Sequence, residues 1–200
     1  NIEVRTENEV IAINREEKTV TVKNLPDGNE YKETYDALIL SPGGEPILPG
    51  AIEGIRNNNV FGIRNVVDIA KLDAYIRDHN AKDIAVVGGG FIGCEIAENL
   101  VHAGYKVTLI EAMDQVMTPF DYDMAQILHK EMLDNGMTLI VKDGVKKIGS
   151  NVIELSSGRQ VKADAVVMAV GIRPETTLAK NAGLAIGETG GIKVNANFQT

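Results

Sequence analysis

The spacing of apolar residues predicts a strand–helix–strand unit in the middle of the chain. The apolar run at 84–87, rich in β-branched residues, is typical of a strand buried on both faces of a parallel sheet, and residues 106–110 predict a second strand. Between them, apolar residues recur at helical spacing, and Gly104 follows as a stop signal. The predicted buried face of this helix consists of Ile92, Ile96, Ala97 and Leu100.

The remaining pattern predicts strands on either side of this unit. Before it, we expect β-strands at 2–6, 10–14 and 19–23, a hairpin partner at 30–34, and an apolar strand at 37–40. After it come a strand at 137–141, a meander over 144–162 and a buried strand at 164–170.

Two further segments have helical spacing. Residues 66–79 predict a helix with Asp68 near its start, and residues 121–135 predict another that Asp121 caps and Gly136 ends. The predicted pattern of the second helix consists of Met124, Ile127, Leu128, Glu131 and Leu133.

Residues 36–43 and 164–171 form an internal repeat. Both begin Asp-Ala, continue with three apolar residues and end in glycine, at an offset of 128 residues. Each copy follows a hairpin and precedes a segment that contains Gly and Pro. This shared context argues against the alternative that two buried strands are similar by coincidence. We therefore expect two similar nucleotide-binding units, the first with its phosphate-binding turn about forty residues before Asn1. With an extended stretch at the end of the chain, this predicts an excised fragment.

The predicted fold class is α/β: a Rossmann-like, three-layer nucleotide-binding domain with a parallel sheet and a β-meander, plus part of a second nucleotide-binding domain. The corresponding domains are the β-rich part of one nucleotide-binding domain at 1–67, a complete one at 68–172, and a segment at 173–200 that returns to the first.

Composition excludes several partners. A net charge of −8 argues against nucleic acid and anionic membranes. No apolar run approaches the length of a membrane span. The single cysteine excludes an internal disulfide and fits a reducing cytoplasm.

Residues 88–93 have the spacing G-x-G-x-x-G, placed between a predicted strand and a predicted helix. Gly88 allows a tight turn, Gly90 lets the backbone approach a pyrophosphate, and Gly93 lets the helix pack against the strand. The helix N-terminus directs unpaired N–H groups at the anion. This context predicts a dinucleotide site, against the alternative of a glycine-rich turn that binds nothing.

Glu111 follows the second strand of the unit, 18 residues after Gly93. A carboxylate there accepts hydrogen bonds from both ribose hydroxyls and repels a 2′-phosphate, and residues 112–118 contain no Lys or Arg. The sequence therefore predicts NAD rather than NADP.

The chain resembles the flavin-dependent pyridine nucleotide-disulfide oxidoreductases over essentially all of its length. The resemblance rests on residues 35–43, on the turn at 88–93 with Glu95, and on residues 169–174. Residues 97–100 and 119–124 are most similar to the coenzyme A-disulfide reductase and NADH oxidase branch.

The resemblance implies that the full-length enzyme passes hydride from NAD(P)H to FAD, and electrons onward through a redox cysteine to a small-molecule disulfide or to oxygen. It implies that Phe91 covers the flavin, that Glu95 positions the nicotinamide carboxamide, and that Gly171 approaches the nicotinamide half. The dinucleotide-binding residues that it implies are Gly88, Gly89, Gly90, Phe91, Ile92, Gly93, Glu95, Glu111 and Gly171. For Phe91 and Glu95, the alternatives are a core aromatic residue and an acid that complements the helix dipole.

The family's FAD fingerprint, redox cysteine and homodimerisation domain have no counterpart in these 200 residues. We therefore expect the fragment to bind FAD hardly at all and to be inactive alone. Cys94 is predicted to be a small buried residue whose pKa the helix start lowers, and His79, His102 and His129 are predicted to be solvated. No catalytic or metal-binding residue is predicted. A non-catalytic NAD-sensing module and a methyltransferase remain alternative functions.

Overall fold

The computed structural model describes residues 2–200, with thirteen strands and four helices in that part of the chain. The strands are β1 (Asn8–Asn14), β2 (Thr19–Asn24), β3 (Glu30–Thr34), β4 (Gly44–Pro46), β5 (Val60–Gly62), β6 (Asp83–Val87), β7 (Lys106–Ile110), β8 (Thr138–Ile140), β9 (Val145–Ile148), β10 (Val152–Leu155), β11 (Gln160–Lys162), β12 (Ala165–Met168) and β13 (Ile172–Pro174). The helices are α1 (Val66–Asp78), α2 (Phe91–His102), α3 (Tyr122–Asp134) and α4 (Thr177–Asn181).

The chain divides into two compact units. One comprises Asn1–Glu45 with Arg173–Thr200, and the other comprises Pro46–Ile172. Residues 46–67, which the sequence analysis assigned to the first domain, lie in the second unit. The assignment of the units to particular nucleotides stays a prediction.

The second unit is built around a five-stranded parallel sheet with the order β5-β12-β6-β7-β8. Alternate residues of each central strand face opposite layers. In β6, Ile84 and Val86 pack in a cluster with Leu72, Ala97 and Met132 from the three helices α1, α2 and α3. This cluster forms the helical layer of the core.

The other face of the sheet packs against the antiparallel meander β9–β11. Ala85 and Val87 of β6 share a cluster with Ile148, Ile153 and Leu155 of the meander, which are almost fully buried. Meander, parallel sheet and helices therefore form three layers, and the predicted fold class is confirmed. Burial on both faces explains why the central strands read as continuous apolar runs rather than as alternating patterns.

The first unit contains an antiparallel sheet with the order β1-β2-β3. The predicted hairpin of 19–23 with 30–34 is confirmed, and Val20 and Val22 are its buried residues. The helix α4 packs against β1.

Two strand predictions in this unit are wrong. Residues 2–6 and 37–40 are irregular, and the Ile39 side chain is 87% exposed. An apolar run becomes a buried strand only when other strands pair with it, and no strand among residues 2–200 pairs with 37–40.

The helix boundaries agree with those predicted, but the buried face of α3 does not. In α3 the buried residues are Ala125, His129 and Met132, whereas Met124, Ile127 and Leu133 of the predicted pattern are exposed. The buried face of α3 differs from the predicted one because it includes a small and a polar residue, which a count of apolar positions leaves out.

The caps of the helices also differ from expectation. Asp121 occupies the N-cap position of α3, but its side chain makes no capping hydrogen bond. Its backbone carbonyl accepts a hydrogen bond from the Ala125 N–H at 3.0 Å. By contrast, Asn65 and Asp68 form a reciprocal capping box at α1, which explains the abrupt start of that helix.

Candidate dinucleotide-binding site

A pocket of about 610 Å³ lies at the carboxyl ends of the parallel strands of the second unit. The ends of β6, β7 and β12 and the start of α2 line it, and all of its lining residues belong to that unit. Ligands of open parallel sheets bind at this edge, because the loops that follow the strands diverge there.

The glycine-rich turn joins β6 to α2, and packing dictates three of its glycines. Gly88 has φ 105°, and a Cβ there would lie 2.4 Å from the carbonyl oxygen of Ala169, the residue that follows β12. A Cβ on Gly93 would lie 1.9 Å from the Gly88 oxygen, so helix and strand approach too closely for any side chain. Gly89 packs against Val116, whose Cγ1 would be 2.7 Å from an added Cβ.

Gly90 differs from the other three glycines. It is the N-cap of α2 with φ −80°, a conformation that any residue adopts, and nothing lies within 4 Å of an added Cβ. Protein packing therefore does not require glycine at this position. The open space beside it belongs to the pocket, which Gly90 lines.

The start of α2 presents unpaired donors. No side chain caps the helix, and among residues 2–200 no group accepts the N–H of Gly90, Phe91 or Ile92. Unpaired N–H groups at a helix start carry partial positive charge and bind anions. The geometry therefore suits a phosphate.

The Glu111 carboxylate is fixed at the end of β7 by two backbone donors. Gly89 N–H donates to its Oε2 at 2.6 Å, and Met113 N–H donates to its Oε1 at 2.8 Å. Each carboxylate oxygen retains a further lone pair for another donor. Glu111 lines the pocket together with the glycine turn, so the structure brings these two predicted elements together.

Phe91 and Ile92 are exposed, at 65% and 43%, and both line the pocket. The prediction that Ile92 belongs to the buried face of α2 is therefore wrong. Gly93, one position later, is the buried residue of that turn, and an added Cβ there would meet the carbonyl of Gly88, directly after β6.

Glu95 lies apart from the pocket. It lines a groove of about 300 Å³ between α2 and α3, together with Phe91 and Cys94. Its carboxylate accepts a hydrogen bond from Asn99 Nδ2 at 3.2 Å. Phe91 is the residue that lines both the groove and the pocket.

Gly171 lies on the side of the pocket formed by the exit from β12. Its φ of 122° favours glycine, and its carbonyl accepts the Ile47 N–H at 3.0 Å.

Cys94 donates through Sγ to the Gly89 carbonyl at 3.4 Å. Burial, with the Glu111 carboxylate adding to it, raises the pKa of the Cys94 thiol to about 11. The predicted lowering of this pKa is therefore wrong, because loss of hydration of the thiolate outweighs the helix dipole.

Two residues behind the glycine turn, His129 and Val116, were not predicted to contribute to the site. His129 is 9% exposed rather than solvated, and its Nε2 accepts the Val116 N–H at 3.1 Å. His79 and His102 are exposed, as predicted. The signal that marked His129 was its spacing of four from Ala125 on a helix, since these two residues share the buried face with Met132.

Two further observations concern ligands and membranes. Within residues 2–200, no group of three or more His, Cys, Asp or Glu is placed to hold a metal ion. In the same residues, no helix is both long enough and apolar enough to cross a bilayer.

The meander, the parallel sheet and the glycine turn define a Rossmann-like unit with a pocket at its carboxyl edge. The family model described as "Pyridine nucleotide-disulphide oxidoreductase" matches residues 1–200. This chain belongs to that family.

Sequence relatives agree with the family. The coenzyme A disulfide reductase of Staphylococcus haemolyticus (strain JCSC1435) is 34% identical over 200 residues, which cover all of this chain and 44% of that protein. An NADH oxidase of Methanocaldococcus jannaschii is 37% identical over 204 residues, which cover all of this chain and 45% of that protein. The chain thus spans less than half the length of these relatives.

Solved structures share the fold. Reduced Bacillus anthracis CoADR-RHD has a TM-score of 0.91 and 46% identity, covering 96% of this chain and 35% of that one. An NAD-dependent persulfide reductase from A. fulgidus has a TM-score of 0.90 and 35% identity, covering 97% of this chain and 36% of that one.

Proposed function

We propose that this chain binds NADH as part of an FAD-dependent pyridine nucleotide-disulfide oxidoreductase. The observation that supports this most directly is the coincidence, in one pocket, of unpaired amides at the start of α2, open space at Gly90, and a fixed carboxylate at Glu111. A dinucleotide needs all three: donors for its pyrophosphate, close approach of the backbone, and an acceptor for its ribose.

In this proposal the pyrophosphate lies against the N-terminus of α2. The N–H groups of Gly90, Phe91 and Ile92 donate to its oxygens, and the helix dipole stabilises its charge. The pocket volume of about 610 Å³ is in the range of small-molecule sites. Gly88, Gly89 and Gly93 serve indirectly, because their packing sets the direction of the turn.

Glu111 selects NADH over NADPH. The Gly89 and Met113 N–H groups hold its carboxylate in place, so that its remaining lone pairs accept hydrogen bonds from the two ribose hydroxyls. A 2′-phosphate would meet a negative charge, and residues 112–118 offer no basic side chain to neutralise it. The names NADH oxidase and NAD-dependent persulfide reductase among the relatives agree with this choice.

When bound, NADH supplies hydride for transfer to FAD. In this proposal Gly171 lets the nicotinamide half approach the backbone, and Phe91 lies on the side that faces the flavin, since both residues line the pocket. Glu95 lines the groove between α2 and α3 instead, which counts against the implied contact between its carboxylate and the nicotinamide carboxamide. The sequence contains one G-x-G-x-x-G turn, and this proposal assigns that turn to NADH rather than to FAD. For the full-length enzyme, the proposal includes an electron acceptor that is a disulfide, such as coenzyme A disulfide, or oxygen, together with homodimerisation and a cytoplasmic location.

Calorimetric titration of the chain with NADH, NADPH and FAD tests the proposal. We expect saturable binding of NADH, weaker binding of NADPH and hardly any binding of FAD. Absence of NADH binding would refute the proposal. Tight NADH binding by a compact monomer would favour the NAD-sensing module instead.

A further inference from the structure

His129 makes a buried contact that the proposed function does not use. Its Nε2 accepts the Val116 N–H at 3.1 Å, and Val116 itself is fully buried. Because an N–H is the donor, Nε2 carries no proton, so the ring is neutral with its proton on Nδ1. Burial also lowers the pKa of His129, which favours this neutral form.

The segment that His129 holds is packed on the glycine turn. Val116 Cγ1 lies so close to Gly89 that an added Cβ would be 2.7 Å away. The next residue, Met117, donates its N–H to the Gly89 carbonyl at 2.7 Å. Met117 has φ 50°, in the left-handed region that a non-glycine residue adopts only when its surroundings impose it. The His129–Val116 hydrogen bond is one of those constraints.

The Gly89 carbonyl in turn sets the direction of the Gly90 N–H. The two groups belong to one trans peptide, so they point in opposite directions. Met117 N–H and Cys94 Sγ hold the carbonyl on one side. The Gly90 N–H therefore faces away from them, where no group among residues 2–200 accepts it.

We propose that His129 is a positioning residue for the dinucleotide site: through Val116 and Met117 it fixes the Gly89–Gly90 peptide so that the Gly90 N–H is directed at the pyrophosphate. The inference rests on the proposed function. His129 does not line the pocket, so in this proposal it acts only through the segment 116–117.

The test compares two substitutions of His129. His129→Gln keeps an acceptor at the end of a side chain of similar length, whereas His129→Leu removes it. Asn59→Leu is the matched control, because Asn59 is also buried and donates to the Gly149 and Ser150 carbonyls, at the amino end of β5 and away from the pocket. NADH affinity and the free energy of unfolding are measured for all three variants.

We expect His129→Leu to weaken NADH binding about tenfold, His129→Gln to restore most of it, and Asn59→Leu to lower stability without changing affinity. Wild-type affinity in His129→Leu, or an equal loss in both His129 variants, would overturn the inference. If His129→Leu does not fold, ¹⁵N chemical shifts of the wild-type imidazole decide: a protonated Nε2 overturns the inference, and a protonated Nδ1 supports it. Failure of the wild type to bind NADH would refute the proposed function itself, whereas the imidazole shifts would still report on the contact.

Discussion

Replacing Gly90 by alanine adds a single methyl group at the start of α2. The backbone there has φ −80°, and nothing lies within 4 Å of the new Cβ. The substitution therefore introduces no clash within the protein. It fills the space through which we propose that the pyrophosphate approaches the helix.

The effect of Gly90→Ala on stability is small. Alanine is a poorer N-cap than glycine by about 0.5 kcal/mol, while the reduced freedom of the unfolded chain offsets this by about 0.4–1 kcal/mol. The two terms cancel to within about 0.5 kcal/mol. The effect on NADH binding is larger, because a methyl group forced into a close contact costs about 1–3 kcal/mol, which is roughly a fivefold to 150-fold loss of affinity.

The assay is calorimetric titration with NADH beside denaturant unfolding. Gly50→Ala is the matched control, since an added Cβ at Gly50 also meets nothing within 4 Å and Gly50 does not line the pocket. Unchanged NADH affinity in Gly90→Ala would refute the placement of the pyrophosphate. An equal loss in Gly50→Ala would show that the effect is not local.

Four further outcomes follow from the same contacts. Glu111→Ala should weaken NADH binding at least about tenfold and NADPH binding far less, and equal losses in titration would contradict the selectivity. Gly93→Ala should lower the free energy of unfolding by about 3 kcal/mol in denaturant titration, because its Cβ would lie 1.9 Å from the Gly88 oxygen. A free energy of unfolding equal to that of the wild type would contradict this close packing. Cys94, with its pKa raised to about 11, should react with iodoacetamide about a hundredfold more slowly in the folded chain than in the unfolded one, and similar rates would exclude this pKa. Burial lowers the pKa of His129 from 6.5, so the unfolded chain takes up a proton at this residue before the folded chain does as the pH falls. The free energy of unfolding of the wild type should therefore fall below about pH 6.5 relative to that of His129→Gln, and parallel pH profiles of the two would contradict this.

The central unit could be predicted because its signals are local. The strand at 84–87, the glycine turn and Glu111 carry residue types that a turn, a close approach and a strand end each require. The close approach of Gly93 to the Gly88 carbonyl lies within one strand–helix unit, and the structure has this contact.

The failures concern contacts between segments that are distant in sequence. The hydrogen bond that His129 accepts from Val116, thirteen residues earlier, is a contact that the periodicity of α3 does not indicate. Likewise, residues 37–40 read as a buried strand, but pairing depends on neighbours that a local pattern does not specify.

The central claim is that NADH binds with its pyrophosphate at the start of α2. Titration of the ¹⁵N-labelled chain with NADH, followed by amide chemical shifts, tests this claim most directly. We expect the largest changes in amide chemical shift at Gly90, Phe91 and Ile92. Changes at Gly89 and Met113, whose N–H groups donate to the Glu111 carboxylate, would indicate that the ribose contacts Glu111. Saturable binding whose shifts fall outside the pocket, for example on residues 35–40, would contradict the claim.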